Sequence, residues 1–252
     1  MTEQNASAAS GASIAATPPV HAGSRGRSVL LFLRDVVVIV AAALVISFLI
    51  KTFLIRSFYI PSESMQSTLL VNDRIIVNQL VPDVVPIERG DVVVFRDPGS
   101  WLPTMPEQVQ PPLVAAGDWV LSLIGLSASD SDEHLIKRVI GLPGDSVVCC
   151  NDLGQLSVNG IPLDEAYVLL PSGTTDVSGQ DFDQVVPEGT LWVMGDNRYD
   201  SSDSRFNGVV PIADVVGRAF VVSWPIDRWQ WIDNYPLIFD GVERAEGVDD
   251  VE

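Results

Sequence analysis

Two serines one residue apart, Ser62 and Ser64, follow Pro61 just after the chain's only long apolar segment. A serine hydroxyl is a weak nucleophile until a neighbouring base takes its proton. Histidine is the usual base, but His21 lies in the N-terminal leader and His134 ends an inserted loop. Solvated surface roles are expected for both, which argues against a Ser-His-Asp triad. Lysine can serve instead if burial lowers its pKa and leaves it neutral. The chain has two lysines, Lys51 at the edge of the apolar segment and Lys137. Lys137 sits in Leu135-Ile136-Lys137-Arg138-Val139-Ile140, where strand alternation sends Lys137 and Arg138 to opposite faces. One of these cations must face inward or be covered by other chain. Ser64 and Lys137 are thus a candidate nucleophile and base, although an edge-strand lysine is the commoner reading of such a position taken alone.

A second polar cluster follows the apolar run Leu191-Trp-Val-Met194: Gly195-Asp-Asn-Arg198, then Ser201-Ser-Asp-Ser-Arg205. This density of small and charged residues fits a loop held by hydrogen bonds and ion pairs, and equally a plain surface loop of turn residues. Cys149 and Cys150 are adjacent. Strand neighbours point to opposite faces, so two small half-buried hydrophobes are expected rather than a disulfide or a zinc site.

These residues need a frame. The sequence has 252 residues, enough for a real core, with 33 acidic against 15 basic side chains and a net charge of -18. That balance excludes a nucleic-acid binder, which would turn a basic face to phosphates. Residues 1–35 are read as a disordered leader, rich in small residues up to position 27. Residues 36–55 are long and apolar enough to cross a bilayer core of roughly 30 Å. Their bulky end (Phe53, Leu54, Ile55, Phe58, Tyr59) does not suit a signal-peptide cleavage site. Arg25, Arg27 and Arg34 favour a cytoplasmic N-terminus, and Lys51 and Arg56 weaken that preference.

From residue 74 the pattern changes to short β-rich runs separated by turns. Asn159-Gly160 is a two-residue hairpin signal, and Asp152-Leu153-Gly154 is another turn. The fold class expected is mainly β: an antiparallel β-rich domain over 56–238, with loop insertions at 97–134 and 171–187. Residues 239–252 read as an acidic, disordered tail. Trp224, Trp229 and Trp231 suit the lipid headgroup region and ordinary core or surface positions about equally.

Four stretches together resemble, in order, the sequence boxes of bacterial type I signal peptidases. They are Ile-Pro-Ser-Glu-Ser-Met (60–65), Arg-Gly-Asp-Val-Val-Val-Phe (89–95), Lys-Arg-Val-Ile-Gly-Leu-Pro-Gly-Asp (137–145) and Gly-Asp-Asn-Arg…Ser-x-Asp-Ser-Arg (195–205). The resemblance, which covers roughly residues 30–225, implies a membrane-anchored serine endopeptidase that removes signal peptides after Ala-x-Ala-like sites. By the same resemblance Ser64 is the nucleophile and Lys137 the general base. The Ser62 hydroxyl and the Ser64 N–H form the oxyanion hole, Ser201 orients the lysine by a hydrogen bond, and Arg138, Asp203 and Arg205 are ion-pair scaffolding. One departure is visible: Ser67 stands where the family commonly has proline.

No metal or organic cofactor is expected. The expected partners are preprotein signal peptides and the lipid bilayer, with the secretion translocon as a further candidate. The expected location is a bacterial cytoplasmic membrane, single-pass, with the catalytic domain outside. Two alternatives stay open. One is a related Ser/Lys peptidase of the conjugative-transfer or LexA-like kind; the other is a non-catalytic anchored β-domain that binds exported chains.

Overall fold

The computed structural model describes residues 25–99, 101–102 and 134–243. Two compact units divide at Ser47 and Phe48. Residues 1–24 with His21, most of the 97–134 insertion and residues 244–252 lie outside the described residues.

The first unit is a helical segment. Helix α1 runs from Arg25 to Phe53, and its window Val29–Phe48 has a mean hydropathy of 2.8. Large apolar side chains along it are exposed on all sides, from Val29 and Leu30 to Val45 and Phe48. A helix apolar all round with no protein cover has the character of a bilayer span. The span expected over 36–55 is therefore part of a longer helix, and residues 25–35 are helical rather than leader. The pair Arg34-Asp35 does not break it. Their side chains meet each other at 2.8 Å on the helix surface, so neither charge requires the backbone to turn away.

In the second unit, one residue separates α1 from β1 (Ile55–Tyr59). The strands that follow are β2 (Arg74–Asn78), β3 (Val92–Arg96), β4 (His134–Gly141), β9 (Thr190–Met194), β10 (Val210–Pro211), β11 (Val215–Trp224) and β12 (Gln230–Trp231). They form one sheet in the order β1-β2-β11-β3-β4-β9-β10, with β12 on β11. A smaller sheet in the order β7-β6-β5-β8 contains β5 (Ser146–Cys149), β6 (Ser157–Val158), β7 (Ile161–Pro162) and β8 (Phe182–Val185). Every strand pair in the two sheets is antiparallel, and the mainly β reading holds.

Local sequence explains much of this. Asn159 and Gly160 take φ of 51° and 80° between β6 and β7, the left-handed pair that a tight hairpin requires. In the Asp152–Gly154 turn, Gly154 has φ 77°. Three buried clusters hold the sheets. Phe58, Ile60, Met65, Leu69, Ile75 and Ile136 belong to the one beneath the serines.

Two expectations fail here. Residues 239–243 are packed: Phe239 and Val242 are buried in the third cluster, and Arg89 donates to the Val242 carbonyl at 3.1 Å. Two apolar side chains sufficed to fix a segment whose composition looked like tail. Cys149 and Cys150 are joined as a disulfide, with Asp176 Oδ1 3.3 Å from the Cys150 sulfur. Strand β5 ends at Cys149, so alternation does not govern the next residue. Both residues still pack against the third cluster.

Candidate active site

Strand β1 delivers the chain to Ile60, whose N–H donates to the Asp73 carbonyl, and residues 61–69 then turn back over the sheet. Ser64 lies in that turn, buried to 7% exposure, with Met65 and Leu69 anchoring the segment in the core. Strand β4 carries Lys137, only 3% exposed, to meet it. Lys137 Nζ lies 2.7 Å from Ser64 Oγ and donates to the Ile136 carbonyl at 2.9 Å. Ser62 Oγ is 3.3 Å from Ser64 Oγ, on the exposed side.

Burial is the main influence on the lysine. Loss of water disfavours the ammonium form and lowers the pKa to about 8, with Arg205 pushing the same way and Asp203 and Asp196 opposing. A lysine so held has a substantial neutral fraction near neutral pH, which a surface lysine lacks.

The polar loop after β9 is the frame behind this pair. Asn197 N–H donates to the Ser64 carbonyl at 3.1 Å, tying the Ser64 backbone to the loop. Gly195 N–H donates to Asp203 Oδ2 at 2.9 Å, and Asp203 pairs with Arg205 at 2.8 Å, both acid and base fully buried at the side chain. Arg205 reaches the carbonyls of Ser178 and Arg198. Strand alternation turns Arg138 away from Lys137. Its guanidinium grips Asp196 through Nε at 2.9 Å and Nη2 at 2.8 Å, donates to the Gly90 and Asp233 carbonyls, and lies 4.2 Å from the Tyr167 ring centre.

Ser201 differs from its expected role. Its hydroxyl is buried without a hydrogen-bond partner among the described residues, and Lys137 Nζ is held by Ser64 and Ile136 instead. It is nevertheless beside the site. A Cβ added at Gly195 would lie 2.3 Å from Ser201 Oγ and 2.4 Å from the Ser64 carbonyl oxygen. No side chain fits between the loop and Ser64. Gly195→Ala is expected to displace the Ser64 turn and lower kcat/KM at least about 100-fold, since small misplacements are costly. Kinetics on folded protein, verified by circular dichroism, check this; unchanged kcat/KM refutes it.

His134 also differs from expectation. It opens β4, half-buried, with its ring 5.2 Å from that of Phe58. Sequence reasoning also left several supporting residues unassigned. Asp196 and Arg198 stood within a quoted box and had a signal. Glu165 and Tyr167, which meet Arg198 and Arg138, come from a segment with no pattern to mark them. Ser67 has φ 99°, a conformation closed to proline, and its hydroxyl donates to the Tyr167 carbonyl. The departure from the family pattern thus matches the local backbone.

One more feature concerns what could bind. Strand β3 pairs with β4 from His134 to Arg138, but β9 pairs only from Arg138 onward. Among the described residues, the β9-facing edge of residues 135–137 is open in these ladders, and Lys137 within it meets Ser64.

A buried serine–lysine pair on a β-rich frame is arranged for serine hydrolase chemistry without histidine. A family model described as signal peptidase, peptidase S26, matches residues 33–224. A signal peptidase I of Mycobacterium tuberculosis (strain ATCC 25618 / H37Rv) is 40% identical over 222 residues, covering 78% of this chain and 74% of that protein. A probable signal peptidase I of Mycobacterium leprae is 38% identical over 200 residues, covering 67% and 68%. A crystal structure of a signal peptidase I from Enterococcus faecalis V583 is 27% identical, covers 52% of this chain and 95% of that one, and gives a TM-score of 0.35. The chain belongs to the S26 signal peptidase family.

Proposed function

We propose that Ser64 is the nucleophile and Lys137 the general base of a membrane-anchored peptidase that removes signal peptides from exported preproteins. The peptidase class follows from the family; the single observation that carries the residue roles is the 2.7 Å contact between a buried amine and a buried hydroxyl. Neutral Lys137 takes the Ser64 proton as Oγ attacks the scissile carbonyl. The developing oxyanion is met by the Ser64 N–H and the Ser62 hydroxyl, one such donor being worth about 3–4 kcal/mol in comparable sites. Lysine returns the proton to the leaving amine, then activates water to release the acyl-enzyme. Ser201 is a positioning residue in this reading. Its unpartnered hydroxyl stands ready to accept from the lysine once substrate closes the site.

The substrate adds as a strand along the open edge of β4, as extended peptides commonly do on exposed sheet edges. Small residues before the cut, as in an Ala-x-Ala site, are the preference that membership of the signal peptidase family supports. The span α1 confines enzyme and preprotein to one bilayer and raises their encounter frequency. Arg25, Arg27 and Arg34 at its start favour a cytoplasmic N-terminus, with the catalytic domain on the outer face of a bacterial cytoplasmic membrane. The secretion translocon is the natural neighbour there.

The test is cleavage of an Ala-x-Ala preprotein by the full-length protein in detergent, followed across pH. The cut falls after the second Ala, and kcat/KM rises about tenfold per pH unit until it levels near pH 8. The sign follows from the amine: below its pKa the proton blocks it as a base. A flat profile between pH 6 and 8 rules out Lys137 as the base. Absence of any cut by folded protein on several preproteins favours the binding-domain alternative.

A further inference from the structure

Cys149 and Cys150 take no part in the site described above, yet their sulfurs lie beside a carboxylate. Cys149 Sγ, Cys150 Sγ and a carboxylate oxygen of Asp176 are within 4.8 Å of one another. Cys149 is 3% exposed, in the core, and Cys150 is half-buried. The Cys150 sulfur stands 3.3 Å from Asp176 Oδ1. A disulfide sulfur has no hydrogen to donate, so in the oxidised chain a carboxylate and a sulfur lone pair face each other. In the reduced chain the Cys150 S–H donates to that carboxylate, and hydrogen bonds to an ionised acceptor are the stronger kind. Asp176 therefore favours the dithiol over the disulfide.

The same aspartate is tied to the loop behind Ser64 and Lys137. Its Oδ1 accepts the N–H groups of Ser178 at 2.8 Å and Gly179 at 3.1 Å, which fixes the carboxylate within its own turn. The carbonyls of Asp176, Val177 and Ser178 accept in order from the Tyr199 hydroxyl, Arg198 Nη1 and Arg205 Nη1. Arg198 also donates to the Gly195 carbonyl at 3.0 Å, and Arg205 pairs with Asp203, which accepts the Gly195 N–H. On the other side, Val177 N–H donates to the Gly154 carbonyl at 3.0 Å. A Cβ added at Gly154 would lie 2.7 Å from the Thr175 carbonyl oxygen, so the turn after Cys150 and the segment entering Asp176 pack backbone to backbone. Two sulfurs that are no longer bonded need more room than a bonded pair. Cys149 is set in the core, so that displacement falls on Cys150 and on the Asp176 turn.

We propose that Cys149–Cys150 is a thiol–disulfide exchange site for a dithiol reductant, and that its reduction is transmitted through residues 176–178 to the peptidase site. A thiolate of the reductant attacks Cys150 Sγ, the more exposed sulfur. The bond between the cysteines breaks, and Cys149 leaves as a thiolate that takes up a proton. The reductant's second thiol, losing its proton, displaces Cys150 in the same way and closes its own disulfide. Two electrons and two protons pass to the pair. The exchange does not depend on the roles given to Ser64 and Lys137, and its effect on cleavage requires only the peptidase activity.

The experiment equilibrates the full-length protein in detergent with graded ratios of reduced to oxidised dithiothreitol. Free thiols are counted by maleimide labelling and mass spectrometry, and preprotein cleavage is measured at each ratio. Wild type passes from no label to two as the reduced fraction rises. Its kcat/KM falls at least about threefold in step, as a small displacement around a catalytic centre produces, and reoxidation restores it. Asp176→Asn keeps the Oδ1 acceptor for Ser178 and Gly179 and loses the charge, so half-reduction needs a ratio at least about tenfold higher. Cys149→Ala with Cys150→Ala cleaves preprotein at a rate that no ratio changes. Wild type that stays unlabelled until denatured overturns the proposal. So does cleavage unchanged by reduction, an unshifted midpoint in Asp176→Asn, or the same loss of rate in the double alanine variant. If oxidised wild type cuts nothing, the proposed function fails, while the label count alone upholds or overturns the exchange site.

Discussion

Ser64→Ala and Lys137→Ala each lower preprotein cleavage by at least about four orders of magnitude while leaving the domain folded. Removal of a nucleophile or its base from a serine hydrolase costs on the order of a millionfold in the best-studied cases, and removing both costs little more. The same non-additivity is expected here, because each residue is useless without the other. Ser64→Ala deletes one oxygen from a buried position and leaves Lys137 its contact with the Ile136 carbonyl. Its melting temperature should stay within a few degrees of wild type. Lys137→Ala leaves a cavity but removes a desolvated amine, and these effects on stability oppose each other. Cleavage assays over long incubations, with thermal melts alongside, check both. Cleavage by either variant within tenfold of wild type would falsify the dyad.

The second large effect concerns folding. Arg138→Ala is expected to destabilise the domain by about 3–5 kcal/mol, the usual result of removing one partner from a buried ion pair. Arg138 and Asp196 are both fully buried at the side chain, and the arginine also holds the Gly90 and Asp233 carbonyls. Its loss strands a carboxylate and two carbonyls, and it empties the space beside Tyr167. The double variant Arg138→Met with Asp196→Leu removes both charges and should recover part of the deficit. It should not recover activity, because Asp196 sits between Gly195 and Asn197, the two residues that abut Ser64. Chemical denaturation measures the first effect and kinetics the second. Loss of less than 1 kcal/mol in Arg138→Ala would show that the network is wet or dispensable.

Much of this molecule was legible from its sequence, and the unreadable parts share a physical cause. The strands could be read because apolar alternation and turn residues are local signals: Asn159-Gly160 forms its hairpin regardless of distant chain. The Ser64–Lys137 pair was legible only through the boxes, since alternation alone left the lysine free to be an edge residue. The contacts that place it inside join segments far apart in sequence, 73 residues in that case. No local period encodes such a meeting. Glu165 and Tyr167 are invisible for the same reason, as partners of arginines 33 and 29 positions away. Helix α1 extends past Arg34-Asp35 because the two charges neutralise each other, a pairwise effect that a residue-by-residue hydropathy reading does not register. The Ser201 hydroxyl is a further case: the family pattern gives its neighbourhood, while its lack of a hydrogen-bond partner among the described residues depends on how distant segments pack.

The edge of β4 left open by β9 bears on self-association as well. An unpaired strand edge is a socket for any extended chain, including another copy of the same protein. Among the described residues, the part of β4 left open by β9 is three residues long, Leu135 to Lys137, or roughly 10 Å at strand spacing. At that length it can engage the few residues next to a cut, and it is too short to seed a continuing sheet. β9 closes the edge at Arg138, one residue past Lys137. In the function proposed above, a substrate strand added to β4 extends as far as Lys137, and the first ladder bond of β9 is its end stop beside Ser64.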